Sequence, residues 1–516
     1  MVKYNMAWKA PWVRIFLIAG AFLLLMPRAQ SQFTYDENCR QAYEAILSLR
    51  FSEARTLITV EKKVVPGNLV PVYLENYIDF LTLIIGEERL VYDQLKGKKG
   101  DRVKLLEQGR EDSPFYNFCL GEIHLQWAFA RIKFGDYTAA AFEIRKAHAL
   151  FSSNETRYPS FVINKMGIGV VHVMASLVPD NYKWVSNLMG LDGSMEAGLN
   201  EIRQVAAYSG PDEIARMYRT EASFFLAFLA LNLQKNKRDA LPLIEFFNQP
   251  SLGDQLAASP LLMYAKATIL MKNGRNDDAL AVLSQRSTVP QTFPFHYLDY
   301  LEGIARMNKL DFGAANCFER FVAGFRGRNY IGSAYQKLAW LSLLHGDTAV
   351  YYQKMKLVAA HGAAAVDEDK QAASEAAKGI IQNTILLRAR LLFDGGYYNL
   401  ALNELLNNSV KTAVKSKRDL VEYTYRLGRI YHETGNFPKA ADYYLQTVMR
   451  GKTEPYYFAA GAAYQLGLLY ENQGLYTRAD SAYHLCLSIK TEEYKTSLGQ
   501  KAKAGLNRIK ALKVKT

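Results

Sequence analysis

The chain has 516 residues, 49% of them hydrophobic and 12% aromatic, which is enough apolar content for several domains or one long array and excludes a disordered chain. A formal charge of +13 suits an anionic partner. Cys39, Cys119, Cys317 and Cys486 form no Cys-x-x-Cys pair, which excludes the usual thiol metal and redox motifs.

The N-terminus reads as an export signal. Lys3, Lys9 and Arg14 precede the apolar run Ile15–Met26, which is too short to span a bilayer comfortably. Pro27 ends the run, and Ala29-Gln30-Ser31 offers small residues where a signal peptidase reads, so the mature chain starts at Gln32. No Cys stands at that junction, which disfavours a lipoprotein. An uncleaved anchor is the alternative reading. Removing Lys3, Lys9, Arg14 and Arg28 takes the charge from +13 to +9. The expected location is periplasmic or secreted, with outer-membrane association as a further option. In an oxidising compartment Cys39 and Cys119 could pair, but buried thiols are the preferred reading.

From Gln32 on, amphipathic helix is expected almost throughout, with no long alternating β-branched runs. A helix–turn–helix pattern recurs. Its second-helix positions are Ala54, Ala140, Ala240, Ala279, Ala315, Tyr351, Ala401, Ala440 and Ala479, at spacings of 86, 100, 39, 36, 36, 50, 39 and 39. The short intervals are single repeats; each long one must hold a degenerate repeat or an insertion. Gly135, Gly274, Gly346, Gly396, Gly435 and Gly474 fall in the turns. Ala222–Leu233 is intensely apolar but short, and reads as a buried helix. His361–Lys378 reads as a connecting helix, and Asn407–Asp419 as a long loop or helix end. The expected divisions are 1–31 signal, 32–158 N-terminal repeats, 159–260 a divergent segment, 261–378 middle repeats, and 379–516 C-terminal repeats with a basic final helix.

The pattern is fullest in Val421–Leu487. Leu427-Gly428, Tyr431, Gly435, Phe437, Ala440 and Tyr444 recur 39 residues later as Leu466-Gly467, Tyr470, Gly474, Tyr476, Ala479 and Tyr483. This resembles the tetratricopeptide repeat. The resemblance implies an all-α, right-handed α-solenoid of stacked helix hairpins. A second segment, Gly169–Leu199, carries Ser176-Leu177, Pro179, Gly190, Gly193 and Gly198-Leu199. It is similar to the tetratricopeptide-repeat protein 39 family, which includes a yeast outer-mitochondrial-membrane relative. Val178 and Leu191 depart from that family's pattern. This resemblance implies a helical-repeat fold without known catalytic residues. An exported bacterial protein of tetratricopeptide type is the expected kin.

Sites for chemistry are not found. His-Glu-x-x-His, Gly-x-Ser-x-Gly, Ser-x-x-Lys and the Gly-x-x-x-x-Gly-Lys phosphate loop are all missing. No catalytic residue, metal ligand or cofactor is assigned, and the expectation is a protein that is not an enzyme. A hidden hydrolase would need titratable groups converging from distant positions.

The main expectation is an exported scaffold binding a protein partner in a concave groove. Its groove candidates are Tyr425, Arg429, His432, Tyr464, Leu468 and Glu471, with Glu422 and Glu433 beside them. Tyr425 and Arg429, then Gly461 and Gln465, stand where chaperone-clamping repeats carry Lys and Asn, then Lys and Arg, so that clamp is absent. The basic end (Lys495, Lys501, Lys503, Arg508, Lys510, Lys513, Lys515) is read as a solvated helix that could touch a membrane surface or cell-wall polymer. Export argues against nucleic acid. The alternative is a glycan- or lipid-binding receptor beside an outer-membrane transport system, with Trp127, Trp184 and Trp340 as its aromatic candidates.

Overall fold

The turns between paired helices share one backbone geometry. Gly135, Gly274, Gly346, Gly396, Gly435 and Gly474 all have positive φ, from 71° to 91°. A β-carbon there costs roughly 1–2 kcal/mol, so glycine is the natural occupant. The second helix of each pair begins two residues later, at Tyr137, Asn276, Thr348, Tyr398, Phe437 and Tyr476. Leu49 and Leu310 adopt the same left-handed conformation in two further turns.

The computed structural model describes residues 32–176, 194–233, 240–250, 259–286, 292–361, 366–379, 381–407, 413–414 and 416–513. The signal-like residues 1–31 and most of the 169–199 motif, including Pro179, Trp184, Gly190 and Gly193, lie outside them. Among the described residues the fold is all-α. The only extended pairing there is a parallel bridge between Gln32 and Asn68. The chain divides into two compact units, Met1–Ile84 with Leu90–Ser223, and Ile85–Arg89 with Phe224–Thr516. The division at Ser223 falls inside the 159–260 segment.

The described helices begin with α1 (Glu37–Leu47), α2 (Phe51–Val64), α3 (Val70–Gly86), α4 (Arg89–Leu95), α5 (Lys98–Leu106), α6 (Pro114–Phe134), α7 (Tyr137–Arg157), α8 (Asn164–Ser176), α9 (Met195–Ala206) and α10 (Glu213–Leu233). They continue with α11 (Pro242–Phe247), α12 (Pro260–Lys272), α13 (Asn276–Ser284), α14 (Tyr297–Asn308), α15 (Ala314–Gly324), α16 (Ile331–Leu344), α17 (Thr348–His361), α18 (Asp367–Lys378), α19 (Thr384–Asp394) and α20 (Tyr398–Leu406). The last are α21 (Lys417–Glu433), α22 (Phe437–Gly451), α23 (Phe458–Asn472), α24 (Tyr476–Ser488) and α25 (Lys495–Lys513). No described helix is long and apolar enough to cross a membrane.

The predicted small positions are buried at Ala54, Ala140, Ala240, Ala279, Tyr351, Ala401, Ala440 and Ala479. Position 315 is a correction. The buried residue is Ala314, in register with Phe318 and Phe321, and Ala315 is half-buried. The cause is a tight first turn. Ala314 N–H bonds Asp311 O and Ala315 N–H bonds Phe312 O, an i to i+3 pattern that brings the inward-facing residue one position forward.

Gly428 of α21 faces the ring of Tyr444 on α22: an added β-carbon would sit 2.7 Å from Tyr444 Cδ1. Gly467 of α23 meets Tyr483 of α24 in the same way. Where the 169–199 motif is described, α8 and α9 approach closely: a β-carbon added to Gly169 would lie 2.7 Å from the Gly198 carbonyl oxygen, and one added to Gly198 2.5 Å from the Gly169 carbonyl oxygen.

The core of the first unit is polar as well as aromatic. Tyr43 donates to Glu221 Oε2 at 2.5 Å, and Tyr218 lies 2.7 Å from Tyr35 and 3.4 Å from Tyr73, hydroxyl to hydroxyl. Trp127 Nε1 donates to Asn76 Oδ1 at 2.9 Å, and Arg102 pairs with Asp79 at 2.6 Å. Glu122 is only 3% exposed, and among the described residues its Oε1 has no hydrogen-bond partner. Burial, then the neighbouring Glu221 charge, hold the Glu122 carboxyl well above the usual range. Burial also raises Glu221, against the hydrogen bonds from Tyr43 and Tyr77. All four cysteines are buried free thiols, so Cys39 and Cys119 do not pair.

Two expectations follow. Gly428→Ala should destabilise the second unit by roughly 1–3 kcal/mol, the usual cost of overpacking. Chemical denaturation checks this, and an unchanged midpoint would refute the close crossing. In the first unit the unfolded carboxyls ionise at lower pH than the folded ones, so stability must fall as pH rises past the unfolded value. Glu122→Gln should flatten that fall and add on the order of 1 kcal/mol near neutrality. Native-state hydrogen exchange over α6 and α10 at several pH values measures it, and parallel pH slopes for the two proteins would contradict it.

Candidate partner-binding face

The turn glycines set a common register for α16, α19, α21 and α23 of the second unit, as Gly274 does for α12. Nine residues before the turn glycine stand Lys337 (α16), Leu387 (α19), Arg426 (α21) and Gln465 (α23). Six residues before it stand Trp340, Arg390, Arg429 and Leu468. In α12 the two positions hold Ala265 and Thr268. Positions three apart share a helix face, so these pairs line one side of the stacked first helices.

The predicted groove residues divide on this face. Arg429 is half-buried. Its guanidinium lies 4.8 Å from the Phe393 ring centroid, 3.5 Å from Tyr425 Oη and 3.8 Å from Glu433. Among the described residues Arg429 Nε has no hydrogen-bond partner. His432 is half-buried, with Nδ1 3.2 Å from Tyr444 Oη and its ring against Phe437; burial depresses its pKa. Tyr464 is half-buried against Tyr483, and Leu468 packs on the C-terminal core. Glu433 is exposed.

Tyr425 and Glu471, expected in the groove, belong to the interior. Tyr425 is 5% exposed and packs against Tyr457 and Phe458 at 5.8 and 5.6 Å. Its hydroxyl reaches toward Gly461, where an added β-carbon would stand 3.2 Å away. Glu422 is likewise buried, accepting from Arg426 at 2.8 Å. Glu471 accepts from Tyr483 at 2.5 Å and from Arg508 Nε and Nη2 at 2.9 Å each. The last contact also corrects the reading of the basic end. α25 is not a solvated tail: Ala502 and Ile509 are buried on the C-terminal core, Arg508 is paired, and Lys501, Lys503 and Lys510 stay exposed. An amphipathic helix at the end of a stack covers the apolar edge that the last hairpin would leave bare.

A cluster that the repeat pattern alone did not single out lies on α16, α18 and α19. Trp340 is 1% exposed, and its Nε1 donates to Glu375 Oε1 at 2.8 Å. Gln336 Nε2 donates to Glu375 Oε2 at 2.7 Å, and Lys337 Nζ donates to Gln336 Oε1 at 2.7 Å. Lys337 Nζ lies 3.8 Å from the Trp340 ring centroid, and the Arg390 guanidinium 5.0 Å from it. Counting back from each turn glycine would have marked Lys337 and Arg390 as equivalents of Arg426 and Arg429. The segment read as a connecting helix, His361–Lys378, supplies Glu375 from α18.

Trp127 and Trp340 are buried and bonded, so neither offers the exposed platform that a glycan receptor would need; Trp184 lies outside the described residues. Asp36, Cys39 and Glu61 bring potential metal-ligand atoms within 4.8 Å of one another. Both Glu61 oxygens already accept amide protons from Asn38 and Asn68, Asp36 caps the Cys39 N–H, and burial pushes the Cys39 thiol up. This group is satisfied by its own hydrogen bonds.

Comparison with known proteins finds the tetratricopeptide repeat in residues 424–456, which cover the later part of α21, the turn and all of α22. No curated protein matches the chain. Among solved structures, the crystal structure of the APC/C hetero-tetramer Cut9-Hcn1 is similar at 14% identity over 95% of this chain and 99% of that chain, with a TM-score of 0.22.

Arg508→Ala should loosen α25 by roughly 1–2 kcal/mol. The buried Glu471 carboxylate would lose its cation, but the arginine is itself a third exposed, which tempers the loss. Hydrogen exchange across 495–513 should quicken while α21 and α22 keep their protection. Unchanged exchange would show that apolar packing alone holds the helix.

Proposed function

We propose that this chain is an exported, non-enzymatic helical-repeat scaffold that binds a partner protein along the first-helix face of its second unit. The observation carrying this reading is the composition of that face. Arg390, Arg429, Tyr464 and Leu468 are half-buried on helices whose opposite sides are locked into the core. Half-buried Arg and Tyr on a rigid frame bind at low ordering cost, since the backbone is already fixed. The tetratricopeptide repeat at 424–456 supports a protein partner, because stacked helix pairs present such faces to peptide segments. The N-terminal basic and apolar pattern, with Ala29-Gln30-Ser31 before Gln32, supports export to the periplasm or beyond. The exposed Lys501, Lys503 and Lys510 of α25 would add a contact to an anionic envelope surface.

The test is affinity capture from native envelope by the mature chain, with identification of the captured proteins. The double variant Arg429→Ala with Tyr464→Ala should lose about tenfold or more in affinity for the specific partner, as expected for two anchor residues. Identical capture by the double variant would remove this face from the reading. Residence of the protein in the cytoplasm on fractionation would refute export.

A further inference from the structure

Three helices of the first unit bring metal-ligating residue types together. His148 stands on α7, His172 on α8 and Glu201 on α9. His172 Nδ1 is 2.7 Å from Glu201 Oε2, and the His148 and His172 ring centroids are 5.7 Å apart. Contacts outside the group fix the three helices. Gly169 and Gly198 let α8 lie close against α9. Lys165 pairs with Glu155 at 2.5 Å and Asn154 Nδ2 donates to Asn164 Oδ1 at 3.1 Å, which joins α7 to α8. The group is open to solvent: the His172 and Glu201 side chains are 22% and 23% exposed, and His148 is half-buried.

The hydrogen bonds decide which ring nitrogens are available. A carboxylate only accepts, so His172 Nδ1 carries the proton and the lone pair lies on Nε2. A carboxylate on the other nitrogen is what orients metal-binding histidines and raises their basicity. His148 Nε2 has Ser152 Oγ at 3.3 Å, a long contact that a metal–nitrogen bond can replace. Zinc–nitrogen bonds of about 2.0–2.1 Å put the centroids of two rings on one ion about 5–6 Å apart, and the separation of His148 and His172 falls in that range. The Asp36 group differs, because its acceptors are taken up by amide protons. We propose that His148 and His172 bind a zinc-type divalent cation through their Nε2 atoms, with Glu201 holding the His172 ring and solvent completing the coordination.

Two imidazoles select zinc, copper or nickel over magnesium and calcium, which prefer oxygen ligands. The His172–Glu201 pair by itself joins only α8 to α9, and His148 has no part in that link. An ion on both rings would tie α7 to α8 as well. Because it binds the folded arrangement, it would stabilise these three helices by mass action.

The experiment is calorimetric titration of the purified chain, stripped of metal, with zinc chloride, and with magnesium and calcium chloride as comparators. Zinc should bind, and much more tightly than either comparator. The chain has eight histidines, so variants must assign the ion to this pair. His148→Ala and His172→Ala should each weaken zinc binding about tenfold or more, and Glu201→Gln about tenfold. Hydrogen exchange gives a second reading: zinc should raise the protection of α7, α8 and α9 in the wild type and leave it unchanged in His148→Ala. His148→Gln and His172→Gln keep a polar side chain on the half-buried face and should lose zinc in the same way, with circular dichroism checking that the helices remain. No zinc binding by the wild type, unchanged zinc affinity in the folded histidine variants, or magnesium bound as tightly as zinc would overturn the site.

Discussion

The spacing between the two helices of a hairpin is the constraint on which the rest depends. In α21/α22 and α23/α24 it is set by glycine on one helix against a tyrosine ring on the other, Gly428 with Tyr444 and Gly467 with Tyr483. Both rings are fully buried. A tyrosine removes roughly 150–250 Å² from water, worth ~4 kcal/mol or more at ~25 cal/mol per Å². A mid-helix glycine costs about 1 kcal/mol or less relative to alanine. Ring burial therefore outweighs the weakened helix, and glycine is the residue that allows it. The left-handed glycine between the helices then fixes the phase of the second helix, which places the next small residue, Ala440 or Ala479, inward.

That logic also marks what can be read from sequence. Turn glycine, inward alanine and buried ring each depend on local sterics, so they leave a pattern in a single chain, and the hairpins they predict are present. The reading slipped where local geometry changed without a change of residue type. At α15 a tight first turn shifted the inward position from 315 to 314, and adjacent alanines hid the shift. It slipped again where exposure depends on a distant segment. Tyr425 and Glu471 sit at first-helix positions that a bare hairpin would leave open. Tyr457, Phe458 and Arg508 close them, and their contribution depends on how following helices pack. The Lys337 cluster was missed for the same reason, since Glu375 arrives from α18, outside the repeat pattern.

The two units keep opposite kinds of unbalanced buried charge. In the first unit, Glu122 and Glu221 lie among tyrosine hydroxyls, and burial favours their neutral, protonated forms. In the second, Lys337 shares an indole with a permanently charged arginine and is pushed toward its neutral form. In each case titration relieves the desolvation cost that a fixed charge would impose. The consequences differ. The carboxyl pair is enclosed in a core and bears on stability. Lys337 shares the Trp340 ring with the partly exposed Arg390, so its charge state bears on the packing of α16 against α19.

The framework and the first-helix face are written at different positions of one register. Ten residues before the turn glycine, Tyr425 serves the core and its equivalent Tyr464 is half-buried. Nine and six residues before it, successive helices carry Lys and Trp, Leu and Arg, two Arg, and then Gln and Leu. The inward alanine is kept from α19 to α24 as Ala401, Ala440 and Ala479, and the residue packed across the hairpin is Leu405 in α20 and a tyrosine in α22 and α24. The face positions vary without disturbing that packing, since Lys337, Trp340, Leu387 and Arg426 are buried between helices of the stack and Arg390, Arg429, Gln465 and Leu468 are half-buried. Cationic character is concentrated from α16 to α21 and gives way to Gln465 and Leu468 on α23.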